Sequence, residues 1–208
     1  MLDRKIYNLM KENYGKDASW AVWDEQLDKP KSNMGNMEWV EDEGKLCRIL
    51  NPKVVFVGLN KSKRQNKDSK DENSIAKIPW KNFHSGNSCG HSYKLRYALK
   101  DTPFWGAYMT DLIKEIEETD SKKIVSMLKK DKALLKRNLK NFEREISHLG
   151  GNPVVVALGS AAYDILQRFN GKYKIMHLPH YSYTRINKEQ YRDEVRNTLK
   201  TYRRCAKK

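Results

Sequence analysis

The chain has 208 residues, and its 41 Lys and Arg against 26 Asp and Glu give a formal net charge of +15. This length suits one domain with a well-buried core and is short for two. The positive charge favours a polyanionic partner, with nucleic acid ahead of an anionic membrane surface. The longest apolar runs, 54–59 and 154–158, are strand-sized and far short of a bilayer span, which excludes a transmembrane helix.

The cysteines and the amino terminus bear on the compartment. Cys47, Cys89 and Cys205 are too few and too scattered for a disulfide framework. The first residues lack a charged-then-apolar signal sequence. We therefore expect a cytoplasmic monomer that folds as a single domain over residues 1–208, with a frayed basic tail at 203–208.

The first elements are an amphipathic helix and a buried strand. Apolar residues recur at helical spacing from Leu2 to Tyr14, and Gly15 suits its carboxyl end. After Pro52, the run from Lys53 to Asn60 has no polar alternation, which favours a central parallel strand covered on both faces. Gly58 allows a turn or a close approach of a ligand. Ligands collect at the carboxyl ends of such strands, so Asn60 either lines a site or caps the next loop.

The segment at 61–77 consists almost entirely of charged and polar residues, which cannot bury enough apolar surface to order themselves. This composition predicts a mobile loop, or one that orders on a phosphate backbone. Beyond it, the spacing of His84, Cys89 and His91 could hold zinc, but a structural site normally needs four ligands and no fourth is obvious nearby. We expect no metal.

Three further strands are predicted, each followed by a polar residue. They are Phe104–Met109 before Asp111, Pro153–Leu158 before Ser160, and Tyr173–Leu178 before His180. Ser160 is a good amino-terminal cap for the helix that follows, and such a helix end can hold a phosphate. Helices are predicted at 92–99, 121–128 and 132–149, and a last one begins at Asn187 with Gln190 completing a capping box.

Strands that alternate with helices give an α/β fold, a three-layer αβα sandwich around a four-stranded parallel sheet. No G-x-x-x-x-G-K-[ST] motif is present, and no strand is followed by G-x-G-x-x-G. A P-loop or dinucleotide-cofactor enzyme is therefore not expected. Instead, a basic protein places Asn60, Asp111, Ser160 and His180 at four strand ends.

In order and spacing, these strand ends resemble the uracil-DNA glycosylase superfamily over roughly residues 53–185. The stretch Gly58-Leu59-Asn60-Lys61-Ser62 resembles G-x-N-P-G, the first motif of the mismatch-specific and single-strand-selective branches. The stretch from Tyr108 to Lys114 resembles the second strand end, where an asparagine usually reads the pyrimidine. Residues 157–162 resemble the third, a backbone contact at a helix start, and His180-Tyr181-Ser182 resembles H-P-S.

The resemblance implies roles for these residues. Asn60 would position the attacking water, and His180 would support the leaving base. Contact with the flipped base would fall to Gly58, Leu59 and Asp111. Because a flipped base has to be clamped by an aromatic ring, we choose Phe83 for this role, with Trp80 second; the alternative is that Phe83 is a core residue. The residues implied to contact DNA are Lys61, Ser62, Ser160, Ser182, Tyr183 and Arg185, with Tyr183 as the wedge in the duplex.

The chain also departs from the family pattern. Lys61 and Tyr181 stand where the family has prolines, which leaves these loops less rigid. Asp111 replaces the base-reading asparagine, so the resemblance does not indicate which base is excised. Three cysteines cannot supply the four-cysteine iron–sulfur ligation of some branches, and no cofactor is expected.

The resemblance predicts a DNA glycosylase that hydrolyses the bond between deoxyribose and a deaminated or damaged, uracil-like base in DNA repair. A non-catalytic nucleic-acid-binding module with the same fold is the main alternative. A nucleotide-handling hydrolase of another family could also use Asn, Asp and His at strand ends.

Overall fold

The computed structural model describes residues 2–23, 43–61, 79–80, 82–84, 91–168 and 172–206. The predicted polar loop at 61–77 lies outside this part of the chain from residue 62 onward, and Ser62 with it. Within the described ranges, no helix combines the length and the apolar character needed to cross a bilayer.

A five-stranded sheet organises the fold. Its strands are β1 (Ser19–Trp20), β2 (Asn51–Asn60), β3 (Ala107–Ile113), β4 (Val154–Leu158) and β5 (Ile175–Leu178), in the order β1-β3-β2-β4-β5. The four long strands are parallel, and β1 pairs with β3 in the antiparallel sense. The α/β class and the parallel sheet are thus confirmed. The predicted count of four strands missed β1, because a two-residue edge strand carries no periodic pattern.

Helices cover both faces of this sheet. They are α1 (Arg4–Tyr14), α2 (Glu43–Ile49), α3 (Ser92–Leu99), α4 (Ser121–Lys130), α5 (Lys132–His148), α6 (Ser160–Gln167) and α7 (Lys188–Ala206). The predicted capping box is present, because Asn187 and Gln190 bond each other's backbone N–H with their side-chain oxygens. The helix α7 extends to Ala206; the frayed tail at 203–208 stays a prediction.

The unbroken apolar run of β2 reflects burial on both faces. Val54 and Phe56 pack against α3 and α7, whereas Val55, Val57 and Leu59 face the other core, which α1, α4, α5 and α6 complete. Each fully buried side chain of this size contributes roughly 1.5–3 kcal/mol. The central strand therefore holds the residues at its carboxyl end in fixed positions.

The second predicted strand was misplaced. Phe104–Met109 was expected, but β3 spans Ala107–Ile113, and Phe104 lies in a turn before it. Gly106 has a positive φ of 79°, and a Cβ there would lie 2.0 Å from the carbonyl oxygen of Ile49, so only glycine fits this entry to the strand. As a consequence, Asp111 lies inside β3, two residues before its end.

Candidate active site

A carboxylate and an aromatic ring converge on the one position of β2 that has no side chain. Gly58 pairs with Asp111 in the parallel register, so both positions point to the same face of the sheet. A Cβ on Gly58 would lie 2.3 Å from Oδ1 of Asp111 and 3.5 Å from Cε1 of Phe83. Glycine is required here because these two side chains occupy the space above it.

The segment that carries Phe83 is held in an unusual backbone conformation. Trp80 and Phe83 have positive φ values of 69° and 65°, which non-glycine residues rarely adopt. Nδ2 of Asn82 donates to the carbonyl of Asp17 at 2.7 Å and to Oδ2 of Asp111 at 2.9 Å. Asn82 thus ties this segment to β3 beside Gly58.

Trp80 does not face this site. It is fully buried, its Nε1 donates to the hydroxyl of Tyr7 at 3.1 Å, and its ring packs against Trp20 and Tyr108 in the core on the other face of the sheet. Of the two aromatic residues considered for stacking, only Phe83 contacts the Gly58 position. The side chain of Leu59 also points into the core opposite Asp111, so only its main chain can serve the site.

Asp111 is a desolvated acid. Its side chain is 4 % exposed, and burial raises the pKa of its carboxyl to about 6. The hydrogen bond from Asn82 and the charges of Lys114 and Lys61 oppose this shift, whereas the charge of Glu145 adds to it. The carboxyl of Asp111 therefore gains or loses its proton around pH 6, close to neutral pH.

A second buried carboxylate secures β3 from the other side. Glu145 of α5 accepts hydrogen bonds from the hydroxyls of Tyr108 at 2.8 Å and Thr110 at 2.7 Å, and pairs with the ammonium of Lys114. The same ammonium donates to the main-chain carbonyl of Asp111 at 2.8 Å. This network fixes the backbone from which Asp111 projects.

Asn60 ends β2 at the same edge. Its Nδ2 donates to the carbonyls of Glu118 at 2.8 Å and Lys61 at 2.9 Å, with a longer contact to Ile116. These bonds use the amide hydrogens, and no described residue donates to Oδ1. The side-chain carbonyl is therefore the group that Asn60 can offer to a ligand or a water molecule.

Lys61 follows Asn60 and lies between two carboxylates. Its ammonium is 3.4 Å from Oδ1 of Asp17 and 3.6 Å from Oε1 of Glu117. These ion pairs hold the side chain of Lys61, which stands where the family has a proline. Because the Lys61 ammonium is already close to two carboxylates, a phosphate contact would have to replace at least one of these ion pairs. That contact stays a prediction.

His180 follows β5 beside the start of α6. Its Nδ1 accepts the backbone N–H of Ser182 at 3.2 Å and lies 2.6 Å from the Ser182 hydroxyl. A backbone N–H can only donate, so Nδ1 carries no proton and the neutral ring presents Nε2–H as its donor. Tyr181, which replaces the second family proline, stacks on the imidazole with ring centroids 4.4 Å apart.

Desolvation favours the neutral form of His180, and the nearby charge of His91 acts in the same direction. Together they lower the pKa of His180 to about 4. At neutral pH the ring is thus an uncharged hydrogen-bond donor with a fixed tautomer and orientation.

The loop after His180 is held from below by a buried lysine. Nζ of Lys94, in α3, donates to the carbonyls of Tyr183 at 3.0 Å and Ile186 at 2.6 Å. Burial lowers the pKa of Lys94. The side chain of Tyr183 is 46 % exposed and Arg185 is exposed as well, so the loop presents both to solvent.

Ser160 is not the cap that the sequence predicted. Gly159, with a φ of 90°, occupies the cap position of α6, and Ser160 is the first helical residue with no side-chain capping bond. A Cβ on Gly159 would lie 3.3 Å from Cβ of His180. Because Gly159 has no side chain, the start of α6 can lie close to His180. The capping preference of Ser160 could not indicate this contact.

The structure describes only part of the alternative zinc site. His84 donates from Nε2 to the carbonyl of Trp20 at 3.1 Å and packs against Trp23, and Cys89 lies outside the described residues. Among the residues that the structure describes, no three His, Cys, Asp or Glu side chains gather as metal ligands.

The family model described as the uracil DNA glycosylase superfamily matches residues 45–201. This range covers most of the chain and includes β2, β3, β4 and β5. The chain belongs to the uracil DNA glycosylase superfamily. No curated protein and no solved structure matches it.

Membership of the superfamily supports DNA glycosylase activity in general and DNA as the partner. For this superfamily member, the structure brings together Gly58, Phe83 and Asp111; Asn60 ends the strand that carries Gly58, and His180 follows β5 at the same sheet edge. Their individual roles stay predictions.

Sequence reasoning missed three residues that position this site: Asn82, Lys94 and Glu145. Lys94 and Glu145 gave no indication, because each lies in a helix that carries other charged residues. Asn82 gave none, since its partners Asp17 and Asp111 are distant in sequence.

Proposed function

We propose that the protein is a DNA glycosylase that hydrolyses the N-glycosidic bond of a flipped-out, deaminated or damaged base. The observation that carries the proposal is the convergence of Phe83 and Asp111 on Gly58. An aromatic face and a polar edge are the two features needed to hold an extruded base by stacking and hydrogen bonds. In this proposal Phe83 stacks on the base and Asp111 faces its hydrogen-bonding edge.

The leaving group is the first charge that the site must stabilise. As the bond between C1′ and the base nitrogen breaks, its electron pair leaves with the base and positive charge builds on the deoxyribose. Nε2–H of His180 then donates to the base oxygen on which negative charge develops, as donors of an oxyanion hole do. A neutral donor of fixed tautomer needs no rearrangement during this step.

Water completes the reaction at C1′. Asn60 is a poor general base, because its amide does not titrate usefully, so its role is to hold the water through Oδ1. The water oxygen bonds to C1′, and the proton that it loses neutralises the departed base. Positioning without proton abstraction implies a slower enzyme than one with a carboxylate at this position.

DNA contacts surround this centre in the proposal. Ser182 and Tyr183 follow His180, Arg185 is exposed in the same loop, and Ser160 opens α6. Tyr183 would fill the gap that the flipped base leaves in the duplex. The first motif supports a relation to the mismatch-specific and single-strand-selective branches, and we place the protein near them on that basis.

A base-release assay tests the proposal. Oligonucleotides carrying one uracil or one hypoxanthine, with cytosine as control, are incubated with excess protein and then treated with alkali to cleave abasic sites. The double variant Asn60→Ala/His180→Ala, purified in the same way, controls for contaminating glycosylases. Product that requires the wild-type residues supports the enzyme. A gel shift without product from any base supports the non-catalytic binding module instead.

A further inference from the structure

A groove lies between α4 and α6. It is lined by Ser121, Lys122, Val125, Ser126 and Lys129 of α4 and by Ala161 of α6. The four central α4 positions follow the i, i+3, i+4, i+7 spacing that places side chains on one face of a helix. The opposite face of α4 is occupied by Ile124 and Leu128, which are buried in the core.

The lining of the groove is cationic. The two lysines that line it, Lys122 and Lys129, form no ion pair with any described residue. By contrast, Lys123 of the same helix points elsewhere and lies 3.6 Å from Glu118. No carboxylate of a described residue lines the groove; Asp120 and Asp131 lie at the ends of α4, where they cap helices. Two ammonium groups and two serine hydroxyls therefore face a common space.

Both walls of the groove connect to the candidate catalytic residues. On one side, Ala161 is two residues from Gly159, which packs against His180. On the other, α4 follows the segment whose Ile116 and Glu118 carbonyls accept hydrogen bonds from Asn60. Glu118 also binds the N–H groups of Thr119 and Asp120 at the start of α4. Both walls of the groove are thus connected by these contacts to the sheet edge where the base would be held.

We infer that this groove binds the sugar–phosphate backbone of DNA next to the flipped nucleotide, with Lys122 and Lys129 as its phosphate contacts; the inference rests on the proposed function only for the position of that nucleotide. The lysines are seven residues apart, or about 10.5 Å along the helix axis. This corresponds to a rise of about three nucleotides along one strand of B-DNA. Serine hydroxyls in between suit additional bonds to phosphate oxygens.

Salt-dependent binding measures this contact directly. Fluorescence anisotropy with a labelled, lesion-free oligonucleotide, as duplex and as single strand, gives the slope of log K against log salt for wild type and for Lys122→Ala/Lys129→Ala. Two lost phosphate contacts should reduce the slope by about 1.8 on duplex or about 1.4 on single strand. The matched control is Lys123→Ala/Lys130→Ala, which removes the same charge from the same helix outside the groove.

A second pair of variants tests the groove without removing a lysine. Ser126→Glu places a carboxylate inside it, whereas Met127→Glu places the same charge on the exposed neighbour, which is 44 % accessible and does not line the groove. Ser126→Glu should weaken DNA binding several-fold more than Met127→Glu. Thermal unfolding of all four variants checks that the fold is retained.

The outcomes separate this inference from the proposed function. A slope that falls in both lysine pairs alike, or in neither, overturns the groove as a specific contact, even if the protein releases bases. A slope that falls only in the groove pair supports it, even if no base is released from any substrate. Base release itself is scored separately with the lesion-bearing oligonucleotides.

Discussion

Nδ2 of Asn82 lies 2.9 Å from Oδ2 of Asp111 and donates a hydrogen bond to it, within a pair of side chains that are both at least nine-tenths buried. The second hydrogen of this amide goes to the carbonyl of Asp17. Both amide hydrogens of Asn82 are therefore in use. The oxygen that Asp111 presents above Gly58 is the other one, Oδ1. When ionised, this oxygen only accepts hydrogen bonds.

The first prediction concerns the excised base. Because Asn82 donates to Oδ2, an asparagine at this position would turn its amide oxygen toward Asn82 and present its NH2, a donor, to uracil O4, whereas the ionised Asp111 sets an acceptor against O4. A repelled polar pair in a closed pocket costs a few kcal/mol, so uracil release by the wild type should be weak at pH 8. Asp111→Asn should increase it relative to other bases. An amino group at that edge, as on cytosine, would suit the wild type better.

A panel of uracil, hypoxanthine and cytosine substrates, run on both proteins at pH 8, checks this expectation. Asp164→Asn, which changes an exposed carboxylate of α6, is the control. A vigorous uracil activity in the wild type that Asp111→Asn does not improve would show that Asp111 does not read the base.

The second prediction links Asp111 to stability. Because burial raises its folded pKa from 3.8 to about 6, the folded state holds this proton at pH values where the unfolded state has lost it. Stability is thus lost as the pH rises from about 4 to 6, and the full cost is present above that range. At pH 8, Asp111→Asn should be more stable by up to about 3 kcal/mol.

Urea unfolding at pH 4 and pH 8 measures the difference between the two proteins. Lys61, Lys114 and Glu145, the charges that act on Asp111, are common to both and largely cancel in the comparison. The advantage of Asp111→Asn should shrink towards zero at pH 4. An advantage of equal size at both pH values would contradict an acid that is neutralised by burial.

The third prediction tests the proposed chemistry. His180→Ala and Asn60→Ala should each lower single-turnover base release by on the order of a hundredfold or more, as loss of one preorganised donor does, with DNA affinity barely changed. His177→Ala, on an exposed position of β5, and Asn51→Ala, at the opposite end of β2, are the controls. Wild-type release rates in both site variants would mean that the site is misassigned.

The fourth prediction uses the close approach at Gly58. Gly58→Ala places a methyl group 2.3 Å from Oδ1 of Asp111, so the buried carboxylate must move. Overpacking of this kind costs about 1–3 kcal/mol, and base release should fall with it. If the clash is the cause, Gly58→Ala/Asp111→Ala should recover most of the stability lost by the single Gly58→Ala change. Additive losses in the double variant would place the strain elsewhere.

The sequence predicts the scaffold of this site better than its interior. The run 54–59 predicted β2, its burial on both faces and the polar residue at its end, because a continuous apolar strand is a local pattern. It placed Asp111 after its strand rather than within it. The aromatic residues before Gly106 look like strand, and only the contact of Gly106 with Ile49 shows that the strand starts later.

The hydrogen-bond partners of the site residues could not be predicted from the sequence, for a different reason. Nothing local indicates that Asn82 bonds Asp111, or that Lys94 holds the loop at Tyr183, because these contacts join segments 29 and 89 residues apart. The family motif, by contrast, led to Asn60 and His180 because each follows a recognisable strand. Motifs locate strand ends, whereas tertiary packing decides what surrounds them.

The last prediction concerns Tyr183 as the wedge in duplex DNA. Its side chain is exposed, but its backbone is fixed: its N–H donates to the carbonyl of His180 at 2.9 Å and its own carbonyl accepts from Lys94. An exposed ring on an anchored loop can enter the base stack without a rearrangement of the loop. Tyr183→Ala should therefore reduce base release from duplex by about tenfold or more, since unstacking a base step costs a few kcal/mol.

Release from single strands, where no gap needs filling, should be unchanged, and Tyr183→Phe, which keeps the ring, should behave like wild type on both. Equal losses on duplex and single strand would assign Tyr183 to substrate contact instead, and no loss on duplex would remove it from the mechanism.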